Sequence, residues 1–150
     1  MTGKPADFDL TAFLPYRLAI AAAKVSRAFS NRYSREFGLT IPEWRVLAHL
    51  SKGGVVSVRD IHAVVDMDKP TISRAASRLG EKGLVAKVGQ TQDARLVGLS
   101  LTDKGRALMD RLIPMALDYQ TQVMAGLGDR AAGLDQGLRA VMEVKDDPAL

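Results

Sequence analysis

The chain of 150 residues has no cysteine. Disulfide frameworks, thiolate zinc sites and thiol redox sensing are thereby excluded, and a reducing compartment, the cytoplasm, is the expected location. Histidine occurs only at His49 and His62. Without thiols these are too few for a dedicated zinc or copper sensor, so no metal and no cofactor is expected. There is no glycine-rich phosphate loop, no serine-turn motif and no metal-ligand cluster, and the scattered serines and histidines form no readable catalytic constellation. The chain is not expected to be an enzyme. No apolar run is long enough to span a bilayer. The stretch after MTGKPADFDL is interrupted by Arg17, Lys24 and Arg27, and the N-terminus lacks the basic-then-apolar pattern of a signal peptide. Polybasic runs, internal repeats and low-complexity segments are also missing, which excludes a disordered nucleic-acid-binding tail.

What is present is a globular composition, 47% apolar, in a length that suits one domain over residues 1–150. The net charge is +4. That balance permits an anionic partner without specifying one. From Leu10 to about Glu36, apolar residues at Leu14, Leu18, Ala21, Val25 and Phe29 predict one face of a long helix, with Pro15 near its start and Gly38 after its end. Thr40-Ile41-Pro42-Glu43 has the form of a capping box, in which the Thr40 hydroxyl accepts the Glu43 amide and the Glu43 carboxylate accepts the Thr40 amide. The helix that follows is expected to bury Trp44, Leu47 and Leu50 and to break at Gly53-Gly54. Ser57-Val58-Arg59-Asp60 opens a further short helix with Ile61, Val64 and Val65 inward. The segments 84–88 and 97–101 read as strands of a hairpin linked by residues 89–95. Thr102 caps a last long stretch carrying Leu108, Leu112, Met115, Tyr119 and Val123, with Pro114 expected to bend it. After Gly126 and Gly128, residues 129–142 repeat the pattern at Leu134, Leu138 and Val141.

Between the short helix and the hairpin lies Asp68-Lys69-Pro70-Thr71-Ile72-Ser73-Arg74. Asp68 is placed to cap a helix, Pro70 fits its first turn, and Gly83 supplies a left-handed stop. At 100° per residue, Ile72, Ala75, Ala76 and Leu79 share one arc. Pro70, Thr71, Ser73, Arg74, Ser77, Arg78 and Glu81 share the other. An isolated amphipathic stretch is more often a plain solvated surface. Here the outer face has Glu81 as its only acid, and its short hydroxyls lie near the helix N-terminus, where the dipole favours a phosphate. It is also the second of two tightly joined helices followed by a hairpin, the arrangement of a reader whose second helix enters the major groove. The expected fold is therefore mainly α with a small β-hairpin wing, a winged helix-turn-helix.

The order Leu39-Thr40-Ile41-Pro42-Glu43-Trp44-Arg45-Val46-Leu47, then Asp68 to Arg74, then Leu79-Gly80-Glu81-Lys82-Gly83-Leu84-Val85, then Asp93-Ala94-Arg95, then Leu99-Ser100-Leu101-Thr102-Asp103-Lys104-Gly105 resembles the multiple-antibiotic-resistance regulator (MarR) family, over about residues 10–142. The resemblance implies a homodimeric winged helix-turn-helix transcription factor. Its DNA-binding module is residues 39–101, and its terminal helices, 10–36 and 103–143, are the dimerisation elements. It further implies a repressor of a pseudo-palindromic double-stranded operator, often released by a small aromatic or anionic effector. Lys69, Pro70, Thr71, Ser73, Arg74 and Ser77 match the recognition-helix stretch, and Arg78 is near enough to hold a phosphate. Arg95 matches the wing arginine that enters or flanks the minor groove, and Asp93 the acid that steadies it. Some family wings carry a second arginine where this chain has Ala94. An ordinary hairpin ion pair is the alternative for Asp93 and Arg95. Family pockets direct attention to Arg17, Trp44, Arg45, His49 and His62, but the ligand-binding residues stay unassigned. The rival to the DNA-binding reading is a winged-helix protein-interaction module that never touches DNA.

Overall fold

The structure, a computed structural model, describes residues 7–89 and 97–145. It divides into two compact units, Met1–Leu112 and Ile113–Leu150. The first holds a 3-10 turn (Leu10–Ala12), α1 (Leu14–Phe37), α2 (Ile41–Leu50), β1 (Val56–Ser57), α3 (Val58–Val64), α4 (Lys69–Glu81), β2 (Val85–Val88), β3 (Gly98–Leu101) and the first turns of α5 (Asp103–Leu127). The second holds the remainder of α5, a 3-10 turn (Gly128–Arg130) and α6 (Ala131–Met142).

The helix boundaries follow local chemistry. Pro15 lies in the first turn of α1, and Gly38, at φ 66°, ends it in the left-handed conformation. The 3-10 turn is separate from α1, so the single helix expected from Leu10 is interrupted at Phe13. Both capping boxes form. Glu43 Oε2 accepts the Thr40 amide at 2.8 Å, and Thr40 Oγ1 accepts the Glu43 amide at 3.3 Å. Asp60 Oδ2 accepts the Ser57 hydroxyl at 2.8 Å, while Ser57 Oγ accepts the Asp60 amide at 3.1 Å. Helix α5 runs through Pro114 and ends before Gly128, whose φ is 55°.

The sheet has the order β1-β3-β2 with both pairings antiparallel, Val56 opposite Leu99 and Val85 opposite Leu101. Strand β1, only two residues long, has no periodicity to read in the sequence; it forms because β3 offers it an edge. Leu47, Leu50, Ile61, Ile72, Leu79, Leu99 and Leu112 are each at most 1% exposed and form the core beneath the sheet and helices. Three expectations are corrected. Val64 is 68% exposed, because α3 ends there and only Ile61 reaches the core. Trp44 is half-buried rather than buried, packed edge-on against Phe29 at 5.4 Å. Val97 precedes β3 and is exposed.

Candidate nucleic-acid interface

The turn between α3 and α4 spans residues 65–68. The Val65 amide donates to Ile61 O at 2.8 Å and the Met67 amide to Val65 O at 2.8 Å, which reverses the chain with its backbone groups satisfied. His62 Nδ1 lies 2.8 Å from Met67 O and must donate to it, fixing the ring hydrogen on Nδ1 in the neutral form. His62 is thus a structural element of the turn.

Asp68 then caps α4, its Oδ1 accepting the Thr71 amide at 2.7 Å. The Thr71 side chain and amide hold the Asp68 carboxyl below its ordinary value. The two sequence-predicted arcs separate as expected. Ile72, Ala75, Ala76 and Leu79 are buried, and α4 packs on α2 and α3. Lys69, Pro70, Ser73, Arg74, Ser77 and Arg78 are exposed and Thr71 is half-buried. The alanines remove bulk from the inner side, so α4 lies close to its neighbours while its polar side stands clear. Arg74 Nη2 donates to Thr71 Oγ1 at 3.3 Å, an exposed contact that keeps the guanidinium over the first turns of the helix. The face therefore combines three cationic side chains with short hydroxyls, suited to anionic phosphate oxygens and to base edges. Asp93 and Arg95 lie outside the described residues.

The far end of α4 is organised by residues that periodicity does not single out. Lys82 follows the helix and Gly83, at φ 71°, turns the chain towards β2. Lys82 Nζ lies 3.1 Å from both carboxylate oxygens of Glu43, and Glu43 is 1% exposed. Burial alone would raise the Glu43 carboxyl; the Thr40 amide and the Lys82 ammonium outweigh it and hold the group below the ordinary glutamate value. A glutamate closing a capping box, with a lysine just before a left-handed glycine further on, is the only sequence trace of this pair.

The five residues suggested for an effector do not form one cluster in the described contacts. Arg17 lines an open hollow of about 380 Å³ with Thr11, Tyr16, Ile20, Ala21 and Lys24. Trp44 belongs to an aromatic group with Phe29 and Tyr33, centroids 5.4 and 5.8 Å away. Burial pushes the Tyr33 hydroxyl up to about 12, against the pull of the nearby Arg45 charge. Among the described residues no group of three or more carboxylates or imidazoles could hold a metal ion, and no helix is long and apolar enough to cross a membrane.

Comparison with known proteins gives these features a context. Residues 37–96 match the model of the MarR family. The HTH-type transcriptional repressor MdtR of Bacillus subtilis is 37% identical over 68 residues, 45% of this chain; the chain spans less than half of that relative, 44% of its length. BpsR of Bordetella bronchiseptica, whose DNA binding is regulated by 6-hydroxynicotinic acid, shares the fold at 23% identity with a TM-score of 0.80 over 93% of this chain and the whole of that one. The MarR family transcriptional regulator SPO1453 of Silicibacter pomeroyi is 31% identical, with a TM-score of 0.76, over 91% of this chain and 100% of that one. A match of that identity over the full length of a relative, on a winged helix-turn-helix with these caps and this helix pair, establishes that the chain belongs to the MarR family of transcriptional regulators.

Proposed function

We propose that the chain is a sequence-specific DNA-binding regulator, a homodimeric repressor whose α4 is the recognition helix for each half of a pseudo-palindromic operator. The observation that carries this reading is the division of α4: an apolar side sealed against α2 and α3, and a side of Lys69, Thr71, Ser73, Arg74, Ser77 and Arg78 turned to solvent. A surface that leaves guanidinium groups and hydroxyls together, without an acid among them until Glu81, is matched by the negative phosphates and acceptor-rich edge of a major groove. Asp93 and Arg95 are assigned to the wing on the strength of their motif. Release by a small aromatic or anionic compound is part of the proposal, and BpsR's response to 6-hydroxynicotinic acid supports it by analogy.

Arg74 is assigned a base-edge contact. Selection of genomic fragments by the purified protein, followed by titration of the tightest-binding duplex and a random duplex of equal length, tests it. Arg74→Ala should weaken binding to the selected duplex by about tenfold or more, and binding to the random duplex by much less. Equal losses on both would make Arg74 a phosphate contact. If the native protein enriches no sequence and shows no salt-dependent retention on duplex DNA, the reading fails and the protein-interaction module takes its place.

A further inference from the structure

The chain leaving α4 is gripped from two sides. On one, Lys82 Nζ donates to both Glu43 oxygens at 3.1 Å and to Gly38 O at 2.9 Å, occupying all three ammonium donors. Gly38 is the terminus of α1 and Glu43 belongs to the first turn of α2. On the other side, three successive carbonyls each accept a donor from the start of α5. Lys104 Nζ donates to Lys82 O at 2.9 Å, Thr102 Oγ1 to Gly83 O at 2.6 Å, and the Thr102 amide to Leu84 O at 3.1 Å. The fit is close enough that a Cβ at Gly105 would lie 2.1 Å from Leu84 O.

These bonds do something that the core does not. The inner side of α4 rests on Ile72, Ala75, Ala76 and Leu79, and apolar contact is non-directional. Two of these four are alanines, whose small side chains interlock little with the neighbouring helices and do little to fix the angle of α4. Directional hydrogen bonds at one end supply that constraint. A reader of base edges must hold its side chains to within about 0.5 Å and 10–20°.

We propose that Lys82, bound between the Glu43 carboxylate and the Gly38 carbonyl, is a positioning residue that sets the angle at which α4 offers Thr71, Ser73, Arg74 and Ser77 to duplex DNA. The proposal rests on the reading of α4 as the recognition helix. It gives Lys82 a role distinct from the cations on the outer face, because its donors are consumed inside the protein.

The test uses the full-length chain at a temperature where native and variant proteins are both folded by circular dichroism. The probes are the duplex selected by the native protein and a random duplex of equal length, each titrated at several salt concentrations. Lys82→Met should lose about tenfold in the ratio of selected to random affinity, with the salt slope unchanged. Lys82→Arg, which keeps the charge and the donors, should bring the ratio back to within about threefold of native. Should Lys82→Met fail to fold, Glu43→Gln, which keeps an oxygen for the Thr40 amide, reads the same ratio with the same sign. An unchanged ratio, or equal losses on both duplexes with a shallower salt slope, overturns the positioning role; the latter would mark Lys82 as an ordinary phosphate contact. A native protein that selects no duplex would overturn the recognition-helix reading instead, so the two failures are told apart.

Discussion

A carboxylate that is 1% exposed survives only where donors answer it. Glu43 has the Thr40 amide at 2.8 Å and the Lys82 ammonium at 3.1 Å. Together they favour the ionised form over the neutral one despite burial, and the carboxyl is held below its ordinary value. The sign of the consequence follows. A carboxyl depressed in the folded state contributes stability that is present above its unfolded value of about 4.3 and is lost as pH falls through the folded one. Glu43→Gln should therefore destabilise the chain by about 2 kcal/mol at pH 7, read from urea unfolding. The deficit should hold from pH 7 down to about the unfolded value of 4.3 and shrink as pH falls below it and through the depressed folded value. Asp60 and Asp68 are depressed as well, by their bonds to Ser57 and Thr71. They contribute the same acid sensitivity to both proteins and cancel in the difference. A deficit independent of pH would mean that shape, and not charge, is what Glu43 supplies.

Glycines inside helices are ordinarily weak points, and replacing one by alanine gains about 1 kcal/mol. Gly133 and Gly137 of α6 are of this ordinary kind, with nothing within 4 Å of an added Cβ. Gly105 of α5 is the opposite. Its added Cβ would strike the Leu84 carbonyl, which is backbone already bonded to Thr102. Gly105→Ala should therefore cost about 3 kcal/mol and lower the melting temperature by about 10 °C, while Gly133→Ala and Gly137→Ala should each raise it by about 3 °C. Thermal unfolding followed by circular dichroism decides, and a stabilising Gly105→Ala would refute the close approach. The same contrast shows what a sequence can reveal. Caps at Thr40, Ser57, Asp68 and Thr102, and the stops at Gly38 and Gly83, involve partners within a few residues and are readable along the chain. So is the division of α4, because burial there obeys the helical period. Strand β1 exists only through its pairing with β3, the inward turn of Val64 is lost because α3 ends, and the bond from Lys82 to Gly38 joins residues far apart in sequence. None of these leaves a periodic trace. The assignment of Asp93 and Arg95 to a wing rests on their motif alone.

At the scale of the whole molecule the question is what covers the terminal helices. On α1, Leu14 is 55% exposed; on α6, Leu134 is 44%, Leu138 41% and Val141 38% exposed, at steps of four and three. Single exposed leucines are common, but apolar residues recurring at helical spacing form stripes of the kind that mark an interface. The proposed function needs such an interface, since two recognition helices must be carried about one DNA turn apart, ~34 Å, to meet both halves of a palindrome. Light scattering should therefore give a mass about twice the 16.2 kDa of one chain. Two charges placed in the α6 stripe, Leu134→Glu with Leu138→Glu, would face desolvation at any interface formed there and should yield a species with the mass of one chain. Joining two half-site contacts raises affinity by about 10²–10⁴ without any new contact. The separated chain should thus lose at least about 100-fold on the selected duplex, while its circular dichroism stays that of a folded protein because these leucines are not core. If native protein has the mass of one chain at the concentrations where it binds, or the charged variant keeps full affinity, the paired reader is wrong.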